Sequence, residues 1–303
     1  MTQWIVVLNG EQMQRNTVLE MVAQTDPGKV RSGNEDAVWT SIACGSVILA
    51  DGMGGYNAGE VASHMATSVM GAQLEKAFAK RVGITTKSAA LSLTNAAIKV
   101  GVAEANRAIF SVSKTQEQYA GMGTTIVAGV FQGSFLTVAH AGDSRLYRWR
   151  GKQLQQMTTD HSWLEEQIAL GSLTREQAHL SRNKNLVTRA VGVDAQVSPE
   201  INVHETADGD VYLFCSDGLN DMLSDSKIEL ILSKCSENLD LCCSQLIQSS
   251  IDQGGRDNVS VILVRVIAPA ASTASAASAN DGFFLNGWRR LSTWFKSCRF
   301  VKE

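Results

Sequence analysis

Ser46-Val47-Ile48-Leu49-Ala50-Asp51-Gly52-Met53-Gly54-Gly55 decides how the rest of the 303-residue chain is read. An apolar run of strand length drives into an aspartate, and glycines then crowd the backbone. Such a string presents a carboxylate in a tight place, although a strand followed by a surface turn has the same letters. Outward from it the design repeats. Ala207–Cys215 is strand-like and ends in Ser216-Asp217-Gly218-Leu219-Asn220-Asp221; Ser134–His140 halts at Ala141-Gly142-Asp143-Ser144-Arg145. Gly254-Gly255-Arg256-Asp257-Asn258 launches Val259–Val266, and Glu35-Asp36 stands before the strand-like Ala37–Thr40, four residues after Arg31.

Between these punctuations the chain alternates blocks of strands with pairs of helices. Ala58–Lys80 carries Val61, Met65, Val69, Leu74 and Phe78 at near-helical spacing, and Ser88–Phe110 carries Leu91, Ile98, Val102, Ala105 and Ile109 on one stripe. Thr125–Phe131, Ser134–His140, Leu146–Trp149 and Gln153–Thr158 read as consecutive hairpins of an antiparallel sheet, with Asp143 interrupting one as a functional bulge or a sheet edge. Asp160–Leu170 reads as a short helix opening an irregular insert, a candidate flap, and Ser226–Lys234 and Leu239–Gln253 as a second helix pair.

Composition sets the frame. Apolar content is 44%, charged content 19% and net charge −3, the profile of an ordinary globular protein. A slight acidic excess argues against nucleic acid as a partner. Six cysteines at 44, 215, 235, 242, 243 and 298 form no CxxC pair, and their irregular spacing suggests neither a zinc site nor a disulfide framework, so a reducing compartment is expected. No stretch reaches the ~18 apolar residues of a membrane-spanning helix. The organisation expected is an N-terminal extension at 1–20 whose Trp4–Leu8 forms an edge strand, a main domain at 21–267, an Ala/Ser-rich linker at 268–280, and a tail at 281–303. That tail interleaves Phe283, Phe284, Trp288, Trp294 and Phe295 with five basic against two acidic residues, an amphipathic composition suited to a membrane surface or a partner's groove.

Five acidic punctuations in one sheet protein, with no matching basic cluster, would repel one another unless cations bind between them. Carboxylates and backbone carbonyls are hard oxygen donors that suit Mg²⁺ or Mn²⁺ rather than zinc. Two such ions bridged by a carboxylate can generate a hydroxide and clamp a phosphoryl group. The order Arg31…Asn34-Glu35-Asp36, Asp51-Gly52-Met53-Gly54-Gly55, Gly121-Met122-Gly123-Thr124-Thr125, Gly142-Asp143-Ser144-Arg145, Thr159-Asp160-His161-Ser162, Ser216-Asp217-Gly218 and Arg256-Asp257-Asn258 resembles the metal-dependent protein phosphatase 2C (PPM) family, its compact bacterial members above all. The resemblance runs from about Met21 to Val266, with seven motifs in family order.

The resemblance implies an α+β fold, a four-layer αββα sandwich of two antiparallel sheets between helix pairs. It implies a serine/threonine phosphatase acting on phosphoserine and phosphothreonine proteins through a hydroxide bridging two Mn²⁺ or Mg²⁺ ions, in opposition to a Ser/Thr kinase. By resemblance, Asp51 bridges both ions and the Gly52 carbonyl binds one; Asp217 and Asp257 complete the other site; Glu35 and Asp36 hold bound waters. Asp143, with Asp217 and Asp221, forms a weaker third site; Arg31 grips substrate phosphate; Asn258 orients the cluster; and 165–186 matches the flap. Tyr56 and Met53 stand where relatives offer histidine, so proton delivery to the leaving serine falls to a water or to Tyr56. His64 and His140 are expected to be structural and His161 to cap a turn. The protein is expected to be a cytoplasmic monomer, peripheral to the inner membrane face if the tail binds lipid. A regulatory pseudophosphatase would lack one of the metal acids, and none is missing. An aspartyl-phosphate phosphatase would want an acid at position 53.

Overall fold

A computed structural model describes residues 18–55, 58–79, 86–174, 177 and 186–267. The Trp4–Leu8 patch, Tyr56, the middle of the 165–186 segment, the linker and the aromatic tail lie outside the described residues. The elements in chain order are β1 (Val18–Asp26), β2 (Asp36–Ser41), β3 (Ser46–Met53), α1 (Ala58–Ala79), α2 (Lys87–Thr115), β4 (Gly123–Thr124), β5 (Ile126–Gln132), β6 (Phe135–Ala141), β7 (Arg145–Arg150), β8 (Gln153–Gln156) and α3 (Trp163–Ala169). There follow β9 (Glu200–Glu205), β10 (Val211–Cys215), α4 (Asp217–Asn220), α5 (Asp225–Cys235), α6 (Leu239–Asp252) and β11 (Val259–Ile267). Among the described residues the first strand is β1, from Val18, so the expected boundary at residue 20 falls inside it.

Two antiparallel sheets form the centre, one in the order β1-β11-β10-β7-β8 and the other β2-β3-β5-β6-β9, with β4 pairing β3. Val47 and Leu49 of β3 point into the core between the sheets, where they meet Leu136, Tyr212, Phe214 and Ile262. Ile48 and Ala50 point the other way, into a second core beneath α1 and α2. A third core lies between the first sheet and α5 and α6. Three cores make four layers, the expected αββα sandwich. They also explain why the opening run is continuously apolar: both faces of β3 are covered, so no polar alternation survives.

Several expectations shift. On α1 the buried residues include Ala62, Ala66, Met70, Leu74 and Phe78, with the partly buried Val61, Met65 and Val69 at the flank of that stripe. Alanine lets the helix axis approach the sheet, and residues four apart share one face. The four central strands do not build one sheet. β5–β6 pair in one sheet and β7–β8 in the other, so Asp143 marks the crossover between sheets rather than a bulge within one. Edge strand β9 has no apolar run to announce it, because most of its residues face solvent. Cys235 and Cys242 form a disulfide with Cα atoms 5.2 Å apart, stapling the end of α5 to the start of α6, so the expectation of no disulfides fails. Cys44, Cys215 and Cys243 are free and buried, as small hydrophobes. Among the described residues no helix is long and apolar enough to cross a membrane.

Candidate active site

The antiparallel topology brings the acids to one end of the sandwich. β2 begins at Asp36, β3 carries Asp51 at its exit, β6 hands over to β7 at Asp143, α4 opens with Asp217 just after β10, and Asp257 precedes β11. Asp36 and Asp51 are cross-strand partners in the β2–β3 register. Two glycines are required for this convergence. A β-carbon on Gly52 would overlap the Gly59 carbonyl oxygen at the start of α1, and one on Gly218 would overlap the Asn258 carbonyl oxygen. Side chains at either position would push the acid-bearing elements apart.

Hydroxyls and amides fix the Asp36 carboxylate and the backbone that carries its neighbours. Ser216 Oγ donates to Asp36 Oδ2 at 2.7 Å and accepts the Ser260 N–H at 2.9 Å. Thr125 Oγ1 accepts the Asp51 N–H at 3.0 Å, Thr125 N–H donates to the Asp51 carbonyl at 2.8 Å, and the Thr124 hydroxyl donates to that same carbonyl at 2.8 Å. Thr125 Oγ1 also lies 2.8 Å from Ser144 Oγ, beside Asp143. Asn258 Oδ1 accepts the Glu35 N–H at 2.8 Å, while its amide donates to the Pro27 and Gly33 carbonyls. Asn258 therefore orients the Arg31–Glu35 loop. Roles for Ser216, Thr124, Thr125 and Ser144 are not legible from the sequence; the available signal is a serine directly beside two of the acids, Asp143 and Asp217, and the Thr124-Thr125 pair of a motif that holds no acid.

Charge is concentrated here beyond what the protein neutralises. Burial, then the charges of Asp36, Asp217, Asp143 and Asp257, holds the Asp51 carboxyl well above the usual range. Burial followed by Asp143, Asp257, Asp221 and Asp36 does the same to Asp217. Burial pushes Asp36 up to about 6 against the Ser260 and Ser216 hydrogen bonds, and burial with nearby Asp160 pushes Asp143 up to about 6. Burial also raises Glu35, against the opposing charge of Arg31. Arg31, its side chain 50% exposed, donates from Nη2 to Asp257 Oδ2 at 2.7 Å. One of its five N–H donors is committed there. A cleft of about 800 Å³ opens beside the cluster, lined by Asp143, Asp217, Asp221, Glu165 and Ser224 among others.

These residues fit divalent cations. Asp36 Oδ1 and Asp217 Oδ1 are buried without a hydrogen-bond partner, an arrangement that costs free energy unless something positive meets the oxygens. The donors are all oxygen, matching Mg²⁺ or Mn²⁺. Every predicted acid is placed in or beside this end, and Arg31 lies over it. Met53 closes β3, and His64 faces solvent on α1 rather than serving the core. His140 is buried with Nε2 on the Thr159 carbonyl at 3.0 Å, a satisfied core histidine.

Comparison with known proteins agrees. The family described as Protein phosphatase 2C matches residues 29–246. The serine/threonine protein phosphatase PstP of Mycobacterium tuberculosis is 35% identical over 252 residues, covering 82% of this chain and 45% of PstP, so the chain spans about half the length of that relative. The serine/threonine phosphatase stp of Listeria monocytogenes is 34% identical over 244 residues, covering 80% of this chain and 93% of stp. Among solved structures, the catalytic domain of the serine/threonine protein phosphatase PstP in complex with two manganese ions superposes with a TM-score of 0.68 at 35% identity, covering 83% of this chain and 100% of that one.

Proposed function

Because this chain belongs to the protein phosphatase 2C family, we propose that it is a metal-dependent protein phosphatase that hydrolyses phosphoserine and phosphothreonine in proteins. The observation that carries this reading is the set of carboxylates at one end of the sandwich, two with orphaned oxygens, under an exposed arginine. Asp51, the Gly52 carbonyl, Asp217 and Asp257 would hold two Mn²⁺ or Mg²⁺ ions, with Glu35 and Asp36 around them; Asp143, Asp217 and Asp221 would form a weaker third position. Bound there, the ions supply Lewis-acid activation of the attacking water and stabilisation of the charge that builds on the phosphoryl group. The chain's own residues do the rest. Arg31 offers its remaining donors to phosphate oxygens as a planar fork. Asn258 holds the loop that carries Arg31, and Thr124 and Thr125 keep the Asp51 backbone in register.

Purified protein with Mn²⁺ should release phosphate from phosphoserine or phosphothreonine peptides, and a chelator should stop it. Metal-replete protein inert on every such peptide would sink the reading. Arg31→Ala should raise KM by about 10- to 100-fold, the worth of ~1.5–3 kcal/mol for charge-assisted hydrogen bonds, with kcat changing much less. A fall confined to kcat would assign Arg31 to the chemistry instead.

From the family resemblance we further propose a Ser/Thr kinase as the opposing partner and a cytoplasmic monomer, although the Cys235–Cys242 disulfide removes the cysteine pattern as support for a reducing compartment. Residues 281–303 would tether it to an anionic membrane surface or to a partner's groove. Sedimentation with anionic vesicles, with and without 281–303, separates these, since only lipid binding carries the full chain down.

A further inference from the structure

The Thr159-Asp160-His161-Ser162 segment supplies no ligand to the acid cluster, yet it is bonded to the turn that carries Asp143. Gly142 N–H donates to His161 Nδ1 at 3.2 Å, and His161 N–H donates to the Gly142 carbonyl at 2.9 Å. Both main-chain groups of Gly142 thus end on one residue. Next door, Arg145 grips Asp160 through two nitrogens, Nε at 2.8 Å and Nη2 at 2.6 Å. The turn packs closely on the chain entering β5: Gly142 has φ +114°, and a β-carbon there would stand 2.6 Å from Thr125 Cβ. The His140 ring lies parallel on that of His161, centroids 4.5 Å apart.

The other edge of the His161 ring faces the return of the insert that follows α3. Arg189 Nη1 is 3.1 Å from Nε2, and Glu200 Oε2 is 3.6 Å from it. Thr188 N–H donates to the His161 carbonyl at 2.8 Å, and Trp163 N–H to the Leu186 carbonyl at 2.9 Å. His161 is therefore the side chain joining the base of the insert to the Asp143 turn.

A metal among His140, His161 and Glu200, whose ligand atoms lie within 4.8 Å of one another, is the competing use of these groups. The bonding argues against it. Gly142 N–H occupies Nδ1, and Arg189 Nη1, a donor only, stands 3.1 Å from Nε2 beside Glu200 Oε2, so an ion at that edge would meet a guanidinium charge. His140 Nε2 is engaged by the Thr159 carbonyl. Two parallel stacked rings also cannot both hold one ion in their planes. Burial, then the charges of His140 and Arg189, lowers His161 to about 4, which keeps the ring neutral at pH 7.

We propose that His161 is a positioning residue that clamps the Gly142–Asp143 turn to the base of the insert, setting where the Asp143 carboxylate stands. The consequence for metal binding rests on the reading of Asp143 as a ligand given above. The two ring edges can be separated by substitution. Asparagine can place Oδ1 where Nδ1 accepts from Gly142, while glutamine reaches instead toward the Nε2 position.

The test uses full-length protein with two readouts: hydrogen exchange of the Gly142 amide by NMR, and Mn²⁺ titration by calorimetry. Wild type and His161→Asn should protect the Gly142 amide equally, whereas His161→Ala and His161→Gln should exchange it at least about tenfold faster. Affinity at the weakest Mn²⁺ position should fall by about 10- to 100-fold in the same two variants, as for other loss of outer-sphere support, and return with asparagine. Should the alanine variant fail to fold, the asparagine–glutamine pair carries the comparison. Equal protection in all variants, or asparagine as impaired as glutamine, would overturn the clamp. A role in fold stability alone would shift melting without separating asparagine from glutamine. If Gly142 behaves as expected but no variant changes Mn²⁺ binding, the clamp stands and the ligand role of Asp143 falls.

Discussion

Asp51→Asn is expected to lower kcat about a thousandfold and, in chelated protein, to raise stability. The two effects have one origin. Asp51 sits where Asp36, Asp217, Asp143 and Asp257 all oppose its ionisation, after burial itself. Asparagine keeps the shape and an oxygen donor but removes the charge that would hold two cations together. Loss of metal-based stabilisation worth several kcal/mol at 1.36 kcal/mol per tenfold corresponds to about three orders of magnitude in rate. KM should move little, since Arg31 reaches the cluster through Asp257 and not through Asp51. With a chelator present the same substitution removes a repelling charge from a crowded site, so the melting temperature should rise. Steady-state kinetics and melts in chelator check both arms. A variant with kcat within tenfold of wild type would remove Asp51 from the bridging role.

How far this site was legible in the chain depends on what each residue does. The acids were legible because glycine or asparagine adjoins most of them and each stands at one end of an apolar run, a local signal. Their convergence was legible only through the family resemblance, since nothing in Ser46–Gly55 reveals that β2 places Asp36 opposite Asp51. The crossover at Asp143 was misread as a break within one sheet because β5–β8 look alike in sequence; which strands pair is decided by long-range burial. β9 was invisible because an exposed edge strand needs no apolar alternation. On α1 alanine was passed over in favour of larger neighbours, although close packing against a sheet selects small residues. The Cys235–Cys242 pair is not legible because the short turn at 236–238 between α5 and α6 brings the two together, which spacing alone does not show.

Removing metal should invert the ordinary response of this protein to acid. Asp36 and Asp143 rise from the usual 3.8 to about 6 in the folded chain. Between those values the folded state holds protons that the unfolded chain has released, so stability must fall as pH rises through the window. Each carboxyl contributes about 3 kcal/mol at most, at 1.36 kcal/mol per tenfold change in proton affinity. Asp51 and Asp217, raised further, extend the decline upward in pH. Asp210 runs the other way: burial alone would raise it, but Arg150, the Ala207 N–H and the Tyr212 hydroxyl hold it below 3.8, so its contribution is lost only under more acid conditions. Excess Mn²⁺ should reverse the slope, because the cation needs deprotonated carboxylates and binds more tightly as pH rises; at a hundredfold over Kd one site adds about 2.7 kcal/mol. Urea melts between pH 4.5 and 7.5, with chelator and with Mn²⁺, should therefore diverge with increasing pH. A chelated protein more stable at pH 7 than at pH 5 would mean that the carboxylates do not repel one another, and the case for cations between them would lose its physical basis.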